Sequence, residues 1–188
     1  MINNNLLELI VTDLDIKSHK KYFEVMKKYR DYAIITINDD IIYSNDLIES
    51  LYNSYLQNPN CIHARCVHKI MREDDKILPF DKWLKEYKFE LNPSFSLFAI
   101  SEGGILFPPN ILNISDENLN GIYKFILAED IYLKYISRER NIKIIWVPNN
   151  FCLGLRQLQK NKIQKVKIYE KNIKEALNYT FFDTFPII

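Results

Sequence analysis

The sequence predicts an α/β domain whose mostly parallel sheet is flanked by helices. Two observations predict it. Short apolar runs alternate with segments of helical periodicity in the order β-α-β-α-β between residues 6 and 70, the pattern of strands joined by crossover helices. The run Ala33-Ile34-Ile35-Thr36-Ile37 is β-branched and continuous rather than alternating, which suits a strand covered on both faces.

The elements follow in order. Leu6 to Val11 is an apolar run of strand length. From Ser18 to Tyr29 the residues Tyr22, Phe23, Met26 and Tyr29 fall at helical spacing, and Ala33 to Ile37 is the next strand. Asp46 to Tyr55 reads as a helix with Leu47, Ile48, Leu51 and Tyr55 on one side and Asn45 as its N-cap. Pro59-Asn60 ends that unit, and Cys61 to Ile70 reads as one strand. Met71 to Asn92 is polar and irregular, a surface excursion. Ser94 to Ile100 is a strand, Gly103-Gly104 breaks it, and Ile105 to Phe107 resumes before Pro108-Pro109. Helices are predicted over Ser115–Ile126 and Ala128–Arg140, then a strand over Ile142–Val147. A basic amphipathic helix is predicted over Leu155–Tyr179.

Composition narrows the function classes. The chain has 188 residues, 47% hydrophobic, enough for one sizeable core and against global disorder. Its 25 basic and 24 acidic residues leave a formal charge of +1, without the basic excess of a nucleic-acid binder. No apolar run approaches the ~20 residues of a membrane span, and the start lacks a secretory pattern. Three cysteines cannot all pair within one chain, which favours a reducing compartment and a cytoplasmic location.

Three motifs could carry chemistry. Asn38-Asp39-Asp40 directly follows an apolar strand, and ligands of open α/β sheets bind beyond the carboxyl ends of strands. Adjacent carboxylates repel unless a cation or hydrogen bonds compensate. A divalent ion shared with a diphosphate is one solution, a solvated turn with a capping role another. Glu129-Asp130 opens a helix, where the dipole alone favours acids; the chemical alternative is a general base for an attacking hydroxyl. Gly103-Gly104 allows close backbone approach to a ligand, or serves a bend. Lys20 and Lys21 stand in the first turn of a predicted helix, where the dipole disfavours cations, a small hint of phosphate binding.

Cys61-Ile62-His63-Ala64-Arg65-Cys66-Val67-His68 has the residue types of a zinc site. Strand alternation argues against one, because Cys61 and His63 face one way and Cys66 and His68 the other. The thiols read as small hydrophobes. Arg65 faces an anion or solvent.

In this order the motifs resemble one family. Tyr32 to Tyr43 is similar to the "DDD-I-I-Y" strand and metal motif of bacterial GT-A-type, family-2-like glycosyltransferases that build capsule and lipooligosaccharide glycans. Pro59 to His68 resembles their "P-N-x-I-x-x-x-R-x-H" strand, Ser101 to Pro109 their "G-V-G-G-V-L-Y-P-P" segment, and Ala128 to Tyr132 their "A-D-D-I-W" helix start. Asp15 to Tyr22 is similar to the approach to their first helix, and the likeness covers roughly residues 10 to 150.

The resemblance implies a GT-A-like, Rossmann-like domain over residues 1–150 and a C-terminal helical tail over 151–188. It implies a metal-dependent, inverting transfer of sugar from a nucleotide-sugar donor to a hydroxyl of a glycan or lipid-linked glycan acceptor. Asp40 with Asp39 would hold Mn²⁺ or Mg²⁺ on the donor diphosphate, and Lys21 would add a cation to the same phosphates. Gly103 and Gly104 would approach donor or acceptor sugar. Asp130 would be the catalytic base, with Glu129 as second candidate, and contact with the inner membrane face would be peripheral.

The sequence departs from the pattern at Asn38, where relatives carry Asp, and at Ser101-Glu102, where they carry Gly-Val. Relatives also carry a first β-α-β segment before the position of Leu6, so a domain incomplete at its N-terminus is expected. The rival readings are a non-catalytic or partner-binding domain of the same fold, and a nucleotidyltransferase that takes a nucleoside triphosphate.

Overall fold

A computed structural model of the chain describes residues 7–74, 76–149 and 171. The protein is α/β. A 3₁₀ turn over Lys17–Lys21 leads into α1 (Phe23–Lys28), then β1 (Ile34–Thr36), α2 (Leu47–Gln57), β2 (Ile62–Ala64) and β3 (Val67–Lys69). A small hairpin follows, β4 (Arg72–Glu73) with β5 (Lys76–Ile77), then β6 (Leu97–Ala99) and β7 (Ile105–Phe107). The last elements are α3 (Leu119–Lys124), α4 (Glu129–Glu139) and β8 (Ile144–Trp146).

The main sheet has the order β1-β7-β2-β8. It is mixed rather than mostly parallel: β2 and β8 pair in parallel, but β7 inserts antiparallel between β1 and β2. This insertion positions the site. An antiparallel strand starts where its neighbours end, so Ile105 lies opposite both Thr36 and Ala64. The residues just before β7 and those just after β1 therefore meet at one edge of the sheet.

Four other expectations are corrected. Residues 7–11 form no strand; Leu7, Leu9 and Val11 are exposed. An apolar run becomes a strand only with a partner to complete its ladder. Cys61–Ile70 is two strands in two sheets, β2 in the main sheet and β3 paired with β6. The break falls at Arg65-Cys66, where the Arg65 N–H turns to Gly104 O at 3.2 Å and the Ile100 N–H reaches Cys66 O at 3.0 Å. β1 is an edge strand only partly covered, with Ile37 exposed, not a strand buried on both faces. Finally, α2 is capped at Asp46 rather than Asn45. The helix predicted over 155–179 lies outside the described residues apart from Lys171.

The main core lies between the sheet and the helices α1, α3 and α4, and includes Tyr22, Phe23, Phe98, Phe107 and Tyr132. Each such large side chain contributes roughly 1.5–3 kcal/mol by leaving water. A second cluster under α2 joins Leu47, Leu51, Leu106 and Val147. Helix α4 is buried on most sides, through Ile131, Tyr132, Leu133 and Ile136, which fixes where its first turn points. Among the described residues no helix is long and apolar enough to cross a membrane.

Candidate functional site

A cleft of about 600 Å³ opens at the edge where β1 ends, within the span of about 300–1,000 Å³ typical of ligand pockets. Lys17, Ser18, Lys20 and Lys21 form one wall; Ile37, Asn38, Asp39 and Asp40 continue from β1; Ser101 and Glu102 come from the turn before β7; Leu127, Ala128, Glu129 and Asp130 lead into α4. The two acidic pairs predicted from the sequence thus share one cavity.

The lysine wall is pinned by a buried histidine. His19 is fully enclosed, and its Nε2–H donates to Phe125 O at 3.0 Å. A carbonyl only accepts, so Nδ1 is the acceptor and takes the Tyr22 hydroxyl at 2.5 Å. Burial lowers the His19 pKa, which keeps this arrangement neutral. Lys20 and Lys21 end the 3₁₀ turn instead of opening a helix, so the predicted conflict with a helix dipole is not present. Both lysines line the cleft.

Lys21 reaches across. Its ammonium forms an ion pair with Glu129 and donates to Asn38 Oδ1 at 3.1 Å. The Ser101 hydroxyl donates to Glu129 Oε1 at 2.8 Å, and the Ser101 backbone N–H donates to Asp130 Oδ1 at 3.2 Å. Glu129 is 8% exposed and Asp130 4%. Glu129 Oε2 is buried with no hydrogen-bond partner. Both carboxylates begin α4, so its dipole adds to these bonds.

The acidic loop is braced by Tyr43. The Asn38 N–H donates to the Tyr43 hydroxyl at 3.0 Å, and that hydroxyl donates to Glu102 O at 2.9 Å. Asp39 is exposed and Asp40 half-buried. These two offer only carboxylate oxygens, the donors that hard divalent cations take, in the number Mg²⁺ and Mn²⁺ use when phosphates and water complete the shell. Among the described residues no group of three or more His, Cys, Asp or Glu is placed to hold an ion.

Gly103 and Gly104 do not line the cleft. A Cβ on Gly103 would lie 2.4 Å from Cys66 Cβ and 2.6 Å from Cys66 N; one on Gly104, whose φ is +88°, would lie 2.8 Å from Leu47 Cδ1. The glycines let the turn pack on Cys66, just before β3, and on α2, and so deliver Ser101 and Glu102 to the cavity.

Arg65 faces neither solvent nor cleft. It is buried, its guanidinium meeting both Asp46 carboxylate oxygens at 3.3 and 3.4 Å. His63 bonds Ser54 and Asn58, whereas His68 accepts the Glu86 N–H.

Sequence reading missed Ser101 as the residue that orients both α4 carboxylates, Tyr43 as the brace, and Lys17 and Ser18 as wall. Tyr43 lay within the quoted motif, and its spacing of five from Asn38 was the available signal. Ser101 gave none, because its partners are 28 and 29 residues away. No protein-family model, curated protein or solved structure matches this chain.

Proposed function

We propose that this protein is a metal-dependent glycosyltransferase of GT-A-like fold, moving a sugar from a nucleotide-sugar donor to a hydroxyl of a glycan acceptor with inversion. One observation carries the reading: Asp39-Asp40, Glu129-Asp130 and the lysines Lys20 and Lys21 line the same cleft at the end of β1. A diphosphate needs cations, and a hydroxyl nucleophile needs a base; the lining of the cleft offers both.

Asp40 and Asp39 fit a Mn²⁺ or Mg²⁺ shared with donor phosphates, and that ion would supply charge neutralisation for the leaving diphosphate. Lys20 and Lys21, in the same cleft, bind the same phosphates. Asp130, held in orientation by the Ser101 N–H, takes the acceptor hydroxyl proton as that oxygen bonds to the anomeric carbon. The bond from that carbon to the diphosphate oxygen breaks on the opposite face, through an oxocarbenium-like transition state. Ile37 and Leu127, both exposed on the cleft walls, offer apolar surface to a ring.

The test is calorimetry of the full chain with a panel of nucleoside-diphosphate sugars in Mn²⁺. Saturable binding that needs the ion supports the reading. Absence of binding across the panel points instead to a partner-binding domain of the same fold, and preference for a nucleoside triphosphate with pyrophosphate release points to a nucleotidyltransferase.

A further inference from the structure

Lys21 is engaged with side chains of the protein itself. Its ammonium is shared between Glu129 and Asn38 Oδ1, and the side chain is four-fifths enclosed. Glu129 Oε1 takes both Lys21 and the Ser101 hydroxyl, while Oε2, nine-tenths buried with its side chain, has no hydrogen-bond partner. On the same wall Lys20 is exposed, and no ion pair of Lys20 is seen among the described residues. An incoming anion therefore meets Lys20 first and Lys21 second.

We infer that Lys21 is a partner-switching cation: a phosphate-class anion on the lysine wall draws it from Glu129, and the released Glu129 carboxylate then accepts from a hydroxyl-bearing ligand. The inference deepens the sugar-transfer reading and rests on it for the hydroxyl ligand alone; the exchange itself needs only an anion.

Three physical points support the exchange. A buried carboxylate stripped of its cation is strongly destabilised, so release is favoured when a second donor reaches Glu129. Anion and hydroxyl ligand then bind with positive, reciprocal coupling. Lys21 is also loosely held on its other side. Asn38 offers a neutral amide, where a carboxylate would add a second anion and tighten the grip. Finally, the free Oε2 gives Glu129 an acceptor position ready for a donor once the side chain moves.

The experiment measures sodium pyrophosphate binding to the full chain by calorimetry, without divalent cation or sugar. It compares wild type, Glu129→Gln, Asp130→Asn, Lys21→Met and the Lys21→Met/Glu129→Gln double variant. The expected result is affinity about tenfold higher in Glu129→Gln, within the usual range of coupling. Asp130→Asn removes the same charge from the same cleft while leaving the Lys21–Glu129 pair in place, and should gain clearly less. The Glu129→Gln gain should vanish in the Lys21→Met background. Carboxyl footprinting read by mass spectrometry should show Glu129 labelling rise on adding pyrophosphate. Equal gains in both single carboxyl variants, a gain that survives loss of Lys21, unchanged labelling, or no pyrophosphate binding in any variant would overturn the switch. Because no sugar or metal is present, these outcomes are separate from failure of the transferase reading.

Discussion

Ser101 donates its backbone N–H to Asp130 Oδ1 at 3.2 Å, joining the turn before β7 to the first turn of α4. Its hydroxyl meanwhile holds Glu129 at 2.8 Å. One residue thus sets the orientation of two adjacent carboxylates, and it stands there because β7 runs antiparallel between β1 and β2. The topology of the sheet and the geometry of the cleft are one fact seen at two scales.

Asp130→Asn tests the role of that oriented carboxylate. The amide keeps an oxygen for the Ser101 N–H, so folding and donor binding should persist. Transfer should fall by about 10²–10⁴-fold, the usual contribution of a general base. Donor titration and a transfer assay on the same preparation separate the two effects; a variant that transfers at the wild-type rate removes Asp130 from the chemistry.

Asp40→Ala addresses the other wall. Asp40 lines the cleft and is half-buried, so the substitution opens little core. Nucleotide-sugar binding should lose its Mn²⁺ dependence and weaken at least about tenfold, an effect of some 1.4 kcal/mol. Binding in Mn²⁺ that equals wild type would detach the metal from this residue.

Local signals were legible where one element carried the whole message. Continuous β-branched residues marked β1, helical periodicity marked α2 and α4, and acidic pairs at a strand end and a helix start marked residues that line the cleft. What stayed hidden depends on pairing across the chain. Nothing in Ile105-Leu106-Phe107 says that it enters between β1 and β2 against their direction, and that choice is what places Ser101 beside α4. The run Cys61–Ile70 reads as one strand because no Gly or Pro interrupts it. The break comes from Cys66, whose backbone must lie against Gly103. Leu7, Leu9 and Val11 carry strand-like residues without a ladder to join.

Gly103→Ala makes that contact measurable. The added methyl would meet Cys66 at its Cβ and its backbone nitrogen, and backbone cannot swing aside. Overpacking of this kind costs about 1–3 kcal/mol. Urea unfolding should show a lower midpoint at unchanged slope. Since neither glycine lines the cleft, pyrophosphate affinity in the folded variant should drop only as far as Ser101 is displaced. A fully stable Gly103→Ala would mean that the turn does not pack as described.

Acid should destabilise the fold through two histidines that do not line the cleft. His63 is fully enclosed; its Nε2–H donates to Asn58 O at 3.1 Å, and its Nδ1 meets the Ser54 hydroxyl at 2.8 Å. His68 takes the Glu86 N–H on Nδ1 at 3.1 Å. Burial lowers both pKa values from 6.5 to about 4, with the nearby Lys85 charge adding to the effect at His68. Between those values the unfolded chain binds protons that the native protein refuses, so stability is present above pH 6.5 and is lost as pH falls toward 4. Each group can account for up to about 3 kcal/mol over that window, at roughly 1.4 kcal/mol per unit. Carboxylates paired in the native state also lose stability in acid, so the wild-type curve alone does not assign the effect. His68→Asn does: its amide oxygen can accept the Glu86 N–H without titrating. Urea unfolding at pH 7 and pH 4.5 should show a smaller loss in the variant than in wild type. Equal losses in the two proteins would mean that His68 is not the group whose protonation the fold resists.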